Sequence, residues 1–313
     1  MITEKYSLEE KKHVNNKWYF LVPMLLCLFL IWIGFNEYQG RGEPMLIVRT
    51  TTTDKPRSRA WWVMDMLDVL PPFVDGYRHE KFLDRYSVTS CTIRGNHEKF
   101  VAALNCFLFN PVAFRDRNGT FTKNIESICP NKSPFGLNDW DSWQKYLKDK
   151  KDLKRLVLVT NPLERFARQY VKLCTGTQQC FGCDNDVECF LRALKKDLKN
   201  LAQGWDGSRS FLSESFAPQS WNCHMHYRHD EITKMKMDEA EAFTKKYTEF
   251  LAAQDVDKSL LDSISMAIRD YPFSLNAAEQ NILAVMKKDP VIVKLFKQIY
   301  LNDYHLFGYS IEF

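Results

Sequence analysis

Between Trp18 and Phe35 the chain carries eighteen consecutive residues without a charge, WYFLVPMLLCLFLIWIGF. At 1.5 Å per residue such a helix is about 27 Å long, just enough for a hydrocarbon core of roughly 30 Å. Trp18, Tyr19 and Trp32 sit near its ends, where amphipathic rings favour the headgroup region. A cleavable signal peptide has a shorter apolar stretch and a small-residue cleavage site. Here Asn36-Glu37-Tyr38 follows instead. A soluble buried helix would show one apolar face, and this run is apolar all round. The run therefore predicts a transmembrane signal-anchor at 18–35, with a cytoplasmic tail at 1–17.

The orientation follows from several weaker signals. Lys5, Lys11, Lys12 and Lys17 precede the span, against Arg41, Arg49 and Lys55 beyond it, a slight positive-inside bias. Two glycosylation sequons lie downstream, Asn118-Gly119-Thr120 and Asn131-Lys132-Ser133. Outside Cys27, the cysteines are Cys91, Cys106, Cys129, Cys174, Cys180, Cys183, Cys189 and Cys223, an even number that suits disulfides in an oxidising lumen. Four of them form C-x5-C-x2-C-x5-C from Cys174 to Cys189. A four-thiolate zinc site is the competing reading, but its outer spacings are atypical. These features predict a single-pass type II protein whose C-terminal bulk is luminal.

Residues 36–80 read as a luminal stem: Thr50 to Thr53, Lys55-Pro56 and Pro71-Pro72 interrupt any sustained period, with a short amphipathic helix around Trp61 to Leu70. From 81 to 313 the pattern is that of a mixed α/β domain. Tyr86 to Ile93 and Leu156 to Val159 read as buried strands. Helical spacing follows at 100–109, 163–173, 186–202, 234–253, 256–269 and 277–287, and from Pro290 to about Tyr300. Asn161-Pro162 and Asp289-Pro290 are cap-plus-proline helix starts. Net charge is only +4, with Lys and Arg interleaved with Asp and Glu, so no nucleic-acid partner is indicated.

Two strand-turn-helix units begin at Ile93 and Val159. In an open α/β sheet, ligands sit beyond the carboxyl ends of strands, and a helix N-terminus offers unpaired N–H groups to an anion. The segments after these two residues are the places for an anion site.

Both segments resemble motifs of the Golgi carbohydrate sulfotransferases, the chondroitin-type group and its divergent worm-type branch. The first family motif reads C-x-I-x-K-N-M-S-T, then an apolar helix and C-Y-L-Y; here it is Cys91-Thr92-Ile93-Arg94-Gly95-Asn96-His97-Glu98-Lys99, then Cys106-Phe107-Leu108-Phe109. The second, V-R-D-P-x-x-R-F-x-S, is Val159-Thr160-Asn161-Pro162-Leu163-Glu164-Arg165-Phe166-Ala167-Arg168. The cysteine-rich insertion, Phe216-Ala217-Pro218-Gln219-Ser220-Trp221-Asn222-Cys223 and Asp303-Tyr304-His305-Leu306-Phe307-Gly308-Tyr309 follow in the family's order.

The resemblance implies an α/β, P-loop-like sulfotransferase fold, with a central, mainly parallel sheet flanked by helices. It implies 3′-phosphoadenosine-5′-phosphosulfate as co-substrate, a glycan acceptor, a Golgi location and no metal. The cofactor contacts would come from Arg94, Gly95, Asn96, Lys99, Thr160, Arg165 and Arg168. Several positions depart from the family. The lysine of the first motif is Gly95, and its hydroxyl pair is Glu98 and Lys99. The arginine of the second motif is Thr160, its serine is Arg168, and the histidine before F-x-P-Q is Ser215. Arg94, Lys99 and Arg168 offer substitute charge, while Arg165 reads equally well as a fold-stabilising residue.

Two functions thus compete: a sulfotransferase with divergent donor contacts, and a catalytically silent protein of the same fold that binds glycan or protein. Convergence of cationic side chains on one cavity favours the first; a cavity filled by Glu98 favours the second. No catalytic base is assigned. His224, His226 and His229 lack a fourth ligand at metal-site spacing and read as a polar surface loop, and Tyr304, Phe307 and Tyr309 as core aromatics.

Overall fold

A computed structural model of the protein describes residues 68–311, apart from 75, 78, 123–124, 126–127, 130–135, 138–151, 176–179, 205–209 and 228. The predicted span at 18–35, the tail before it, most of the stem and the sequon at Asn131 lie outside the described residues. Among the described residues no helix is long and apolar enough to cross a membrane.

In chain order the elements are β1 (Glu80–Leu83), β2 (Val88–Cys91), α1 (Glu98–Phe109), α2 (Pro111–Asp116), β3 (Gly136–Leu137), β4 (Lys154–Val159), α3 (Pro162–Leu173), α4 (Val187–Ala202), α5 (Phe211–Phe216), β5 (Ile232–Lys236), α6 (Ala240–Ala252), α7 (Lys258–Asp270), α8 (Ala277–Lys288) and α9 (Pro290–Phe307). The sheet order is β3-β1-β2-β4-β5. β2, β4 and β5 run parallel, with Cys91 opposite Val157 and Val159 opposite Lys236. β1 is antiparallel to both of its neighbours. This is the mixed α/β, mostly parallel sheet expected of the domain.

The sheet is covered on both faces, and β4 shows why. Its Leu156 and Leu158 point into a core with Phe100, Leu104, Phe243 and Ile264, while Val157 and Val159 point the other way, toward Phe307 and Met225. Alternation of side chains by two along a strand buries both sets, so the strand is apolar throughout. A third cluster joins α3, α4 and α9 through Phe166, Tyr170, Phe190, Phe296 and Tyr300. Burying a side chain of this size contributes about 1.5–3 kcal/mol.

Asn161 and Asp289 cap their helices as the sequence predicts. Asn161 Oδ1 accepts from Leu163 N at 2.9 Å, and Asp289 Oδ1 accepts from Val291 N at 2.7 Å. α9 runs past Tyr300 to Phe307 and ends at Gly308, whose φ of 63° suits a residue without a Cβ. The helix expected over 234–253 is corrected: Ile232–Lys236 forms the parallel strand β5, and the helix starts only at Ala240. Pairing with β4 over five residues outweighs the local helical spacing. The last part of the predicted stem lies against the fold: Leu70 is buried, and Trp221 Nε1 donates to Pro71 O at 2.9 Å.

Four disulfides join Cys91–Cys223, Cys106–Cys129, Cys174–Cys180 and Cys183–Cys189. The cysteine-rich insertion is therefore closed by two short local bridges.

Candidate functional site

Because β2 and β4 are parallel neighbours, their carboxyl ends lie side by side, and the loops that follow share one end of the sheet. The first loop reverses through Gly95, at φ 83°, and His97, at φ 51°, before α1 begins at Glu98. Such a loop presents backbone N–H groups to an anion. In this chain that anion is internal. Glu98 Oε2 accepts from Gly95 N at 2.5 Å, and Glu98 Oε1 accepts from Lys172 Nζ of α3 at 2.6 Å. Burial opposes the charge on Glu98, but the Gly95 N–H bond, Lys172 and Arg94 outweigh it and hold the carboxyl below its ordinary range.

Gly95 is fixed by more than its φ. A Cβ added there would lie 2.7 Å from Gln169 Cγ and 3.2 Å from Arg165 Nε, so α3 occupies the space that a side chain would need. The position that carries lysine in the resembling enzymes thus points into packed protein.

The two loops are tied together by Gln219, which is fully buried. Its Nε2 donates to Thr160 O at 2.8 Å, and its Oε1 accepts from Thr160 N at 3.1 Å and Asn96 Nδ2 at 2.6 Å. Asn96 Nδ2 also donates to Leu158 O at 3.0 Å, and Thr160 Oγ1 donates to Asn96 Oδ1 at 3.2 Å. Asp303 of α9 in turn accepts from Gln219 N at 2.6 Å and Ser220 N at 2.9 Å. Asn96 and Thr160, predicted as cofactor contacts, are buried and committed to this network.

Arg165 is 1% exposed, and all three of its nitrogens donate to backbone carbonyls. Nε bonds Arg94 O at 3.0 Å, Nη1 bonds Ala217 O at 2.8 Å and Nη2 bonds Ser215 O at 3.0 Å. It staples the first loop to the 215–217 segment. Arg94 turns away from the loop: its Nε lies 2.8 Å from Glu214 Oε1 and its guanidinium stacks 4.9 Å from the Phe211 ring. Glu214 also pairs with His79.

The remaining predicted residues do meet. Lys99 and Arg168 line one cavity of about 380 Å³ with Gly95, Glu98, Lys172 and His97. Arg168 Nη2 donates to Glu164 Oε2 at 3.1 Å and Phe273 O at 2.7 Å, while its buried Nη1 has no hydrogen-bond partner among the described residues. Burial and then the Arg168 charge push the His97 imidazole down to about 3, so it is neutral across the physiological range. Its Nδ1 sits 3.2 Å from Tyr271 Oη.

Sequence reasoning passed over Gln219 and Asp303 as site-forming residues. Their only signal was membership in the F-A-P-Q-S-W and D-Y-H-L-F-G-Y segments. The histidine cluster also differs from expectation. His224 is buried, 3.7 Å from Glu80 Oε2, because its neighbour Cys223 is crosslinked to β2. Among the described residues no group of His, Cys, Asp or Glu is arranged to hold a metal ion.

Comparison with known proteins bears on this geometry. The Caenorhabditis elegans protein named Carbohydrate sulfotransferase chst-1 is 22% identical over 293 residues, covering 86% of this chain and 86% of that protein. The Putative sulfotransferase vep-2 of the same organism is 24% identical over 151 residues, 46% of this chain and 47% of its own length. An uncharacterized protein of that worm is 20% identical over 256 residues, 77% of this chain. No solved structure matches. A profile described as the sulfotransferase family matches residues 78–310, from just before β1 to just beyond α9, and the chain belongs to that family.

Proposed function

We propose that this protein is a catalytically silent carbohydrate sulfotransferase homologue, anchored in the Golgi membrane as a single-pass type II protein and acting in the lumen as a glycan-binding scaffold. One observation carries the silent reading: the Glu98 carboxylate occupies the loop N–H of Gly95 and neutralises Lys172.

The family implies 3′-phosphoadenosine-5′-phosphosulfate as donor, and the residues present do not fit its phosphosulfate end. Sulfuryl transfer depends on cations placed where charge develops between donor and acceptor. Here Gly95 supplies none, Arg94 is paired with Glu214, and Arg165 is spent on carbonyls. Two like charges 4 Å apart repel by about 4 kcal/mol at an effective dielectric near 20. A donor anion beside Glu98 would meet repulsion of at most that order, because Lys172 offsets part of the carboxylate's charge.

The glycan part of the proposal is supported by the motif series and by the carbohydrate sulfotransferase relative. The luminal, membrane-anchored part is supported by the apolar run at 18–35, the four disulfides and the exposed Asn118 sequon.

One feature favours the competing reading of an active transferase. Arg168, whose Nη1 has no hydrogen-bond partner among the described residues, lines the same cavity as Lys99, a start for an alternative phosphate site. Calorimetry of the full-length chain in detergent with 3′-phosphoadenosine-5′-phosphate separates the two. The silent protein gives no saturable heat up to millimolar ligand. Saturable micromolar binding that weakens in Arg168→Ala would replace the scaffold by the enzyme.

A further inference from the structure

A second concave surface lies away from the donor loop, where the end of α8 meets the start of α9. It is a groove of about 570 Å³ lined by Lys287, Lys288, Lys294 and Lys297 over an apolar floor that includes Val293 and Leu301. Among the described residues no acidic side chain lines it. Pro290, Lys294, Lys297 and Leu301 follow helical spacing along α9, so the groove runs roughly 16 Å on that helix at 1.5 Å per residue.

Lys287, Lys288 and Lys294 are exposed, and among the described residues none forms an ion pair; Lys287 feels only the longer-range field of Glu164. Some lysines elsewhere are engaged: Lys172 with Glu98, and Lys195 and Lys199 with Asp68. Lys287 and Lys288 suit the carboxyl end of α8, where cations complement the helix dipole. That account fails for Lys294, which stands in the amino-terminal half of α9. Lys297 follows three residues later on the same face, where like charges repel.

We infer that this groove binds an extended anionic polysaccharide, one bearing regularly spaced sulfate or carboxylate groups, as a site separate from the donor loop. Spaced cations over an apolar floor match a polymer with periodic charge and apolar sugar faces. Nucleic acid fits less well: among the described residues no aromatic ring lines the groove for a base to stack on, and four disulfides suit an oxidising compartment. The inference deepens the scaffold reading and rests on it for its luminal setting. It is measured independently, since nucleotide binding at the donor loop and polysaccharide binding at α8–α9 are separate titrations.

The test uses the full-length chain in detergent and a size-defined heparin octasaccharide. Saturable binding that weakens with salt is expected. The triple variant Lys287→Glu, Lys288→Glu, Lys294→Glu should bind about tenfold or more weakly. A control with the same charge change on α6 and α7, Lys245→Glu, Lys246→Glu, Lys258→Glu, should change by less than about twofold. On the unaltered protein, the octasaccharide should protect Lys287, Lys288 and Lys294 from acetylation, a readout that needs no variant to fold. Absence of binding at low salt, equal losses in the two triples, or no protection overturns the proposal. So does equally tight, equally groove-dependent binding of duplex DNA or phosphatidylserine vesicles.

Discussion

Replacing Glu98 by serine, the hydroxyl residue of the resembling enzymes, removes the internal anion from the loop between β2 and α1. The carboxylate accepts a hydrogen bond from Gly95 N and stands in the first turn of α1. A charged hydrogen bond contributes about 1.5–3 kcal/mol and a first-turn acid about 0.3–1 kcal/mol. The Lys172 pair adds little, because Lys172 is half exposed and water screens it. Relief of the burial penalty on the carboxylate offsets part of the loss, leaving a cost of about 2 kcal/mol. In a domain of this size that lowers Tm by roughly 4–8 °C. Differential scanning fluorimetry in phosphate-free buffer reads it directly.

The vacated loop should then accept an external anion. A ligand at a hundred times its Kd stabilises by about 2.7 kcal/mol, enough to restore the variant, while the unaltered protein shifts little. The pH dependence carries a sign as well. The folded carboxyl titrates below its ordinary value of 4.5, so its contribution is complete above that pH and fades as pH falls through the lower folded value. The gap in Tm between protein and variant should be constant from pH 5 to 7 and close in acid. If Glu98→Ser unfolds at the same temperature as the unaltered protein, or if phosphate stabilises both equally, Glu98 is not the loop's resident anion.

Gly95→Ala should cost about 2–4 kcal/mol, since a positive φ and a Cβ 2.7 Å from Gln169 Cγ both oppose it. Pairing it with Gln169→Ala in a double-mutant cycle should return the packing share and leave the backbone share. Among the disulfides, Cys91→Ser with Cys223→Ser should destabilise more than Cys106→Ser with Cys129→Ser. Their sequence separations are 132 and 23. Chain entropy alone makes the difference about 1.5 kcal/mol, readable in urea melts.

How far the sequence reached depends on whether a feature is local. β4 announces itself as LVLV, and Asn161-Pro162 and Asp289-Pro290 mark helix starts because caps act within one turn. β5 was hidden, since Ile232–Lys236 is a strand only through its pairing with β4. The strand-turn-helix loops after Ile93 and Val159 are where the sequence puts them, and Glu98 stands out there by its charge. A fold-stabilising Arg165 was legible, but the groups that Arg94 and Arg165 bind were not. Their partners, Glu214, Ser215 and Ala217, come from a segment about fifty or more residues further along the chain.

The crosslink between Cys91 and Cys223 also sets a timetable. A chain made from its amino end exposes Cys91 first among the eight bridging cysteines, yet its partner is the last to appear. Cys106 emerges in between, close enough in sequence to form the wrong bridge, and must be reserved for Cys129. The two bridges of the cysteine-rich insertion can close as soon as they are made, each spanning a separation of 6. The end of β2, and the loop that leaves it, can therefore be locked only after residue 223 has been delivered. Biogenesis of this protein should lean on thiol–disulfide exchange to keep Cys91 available until then.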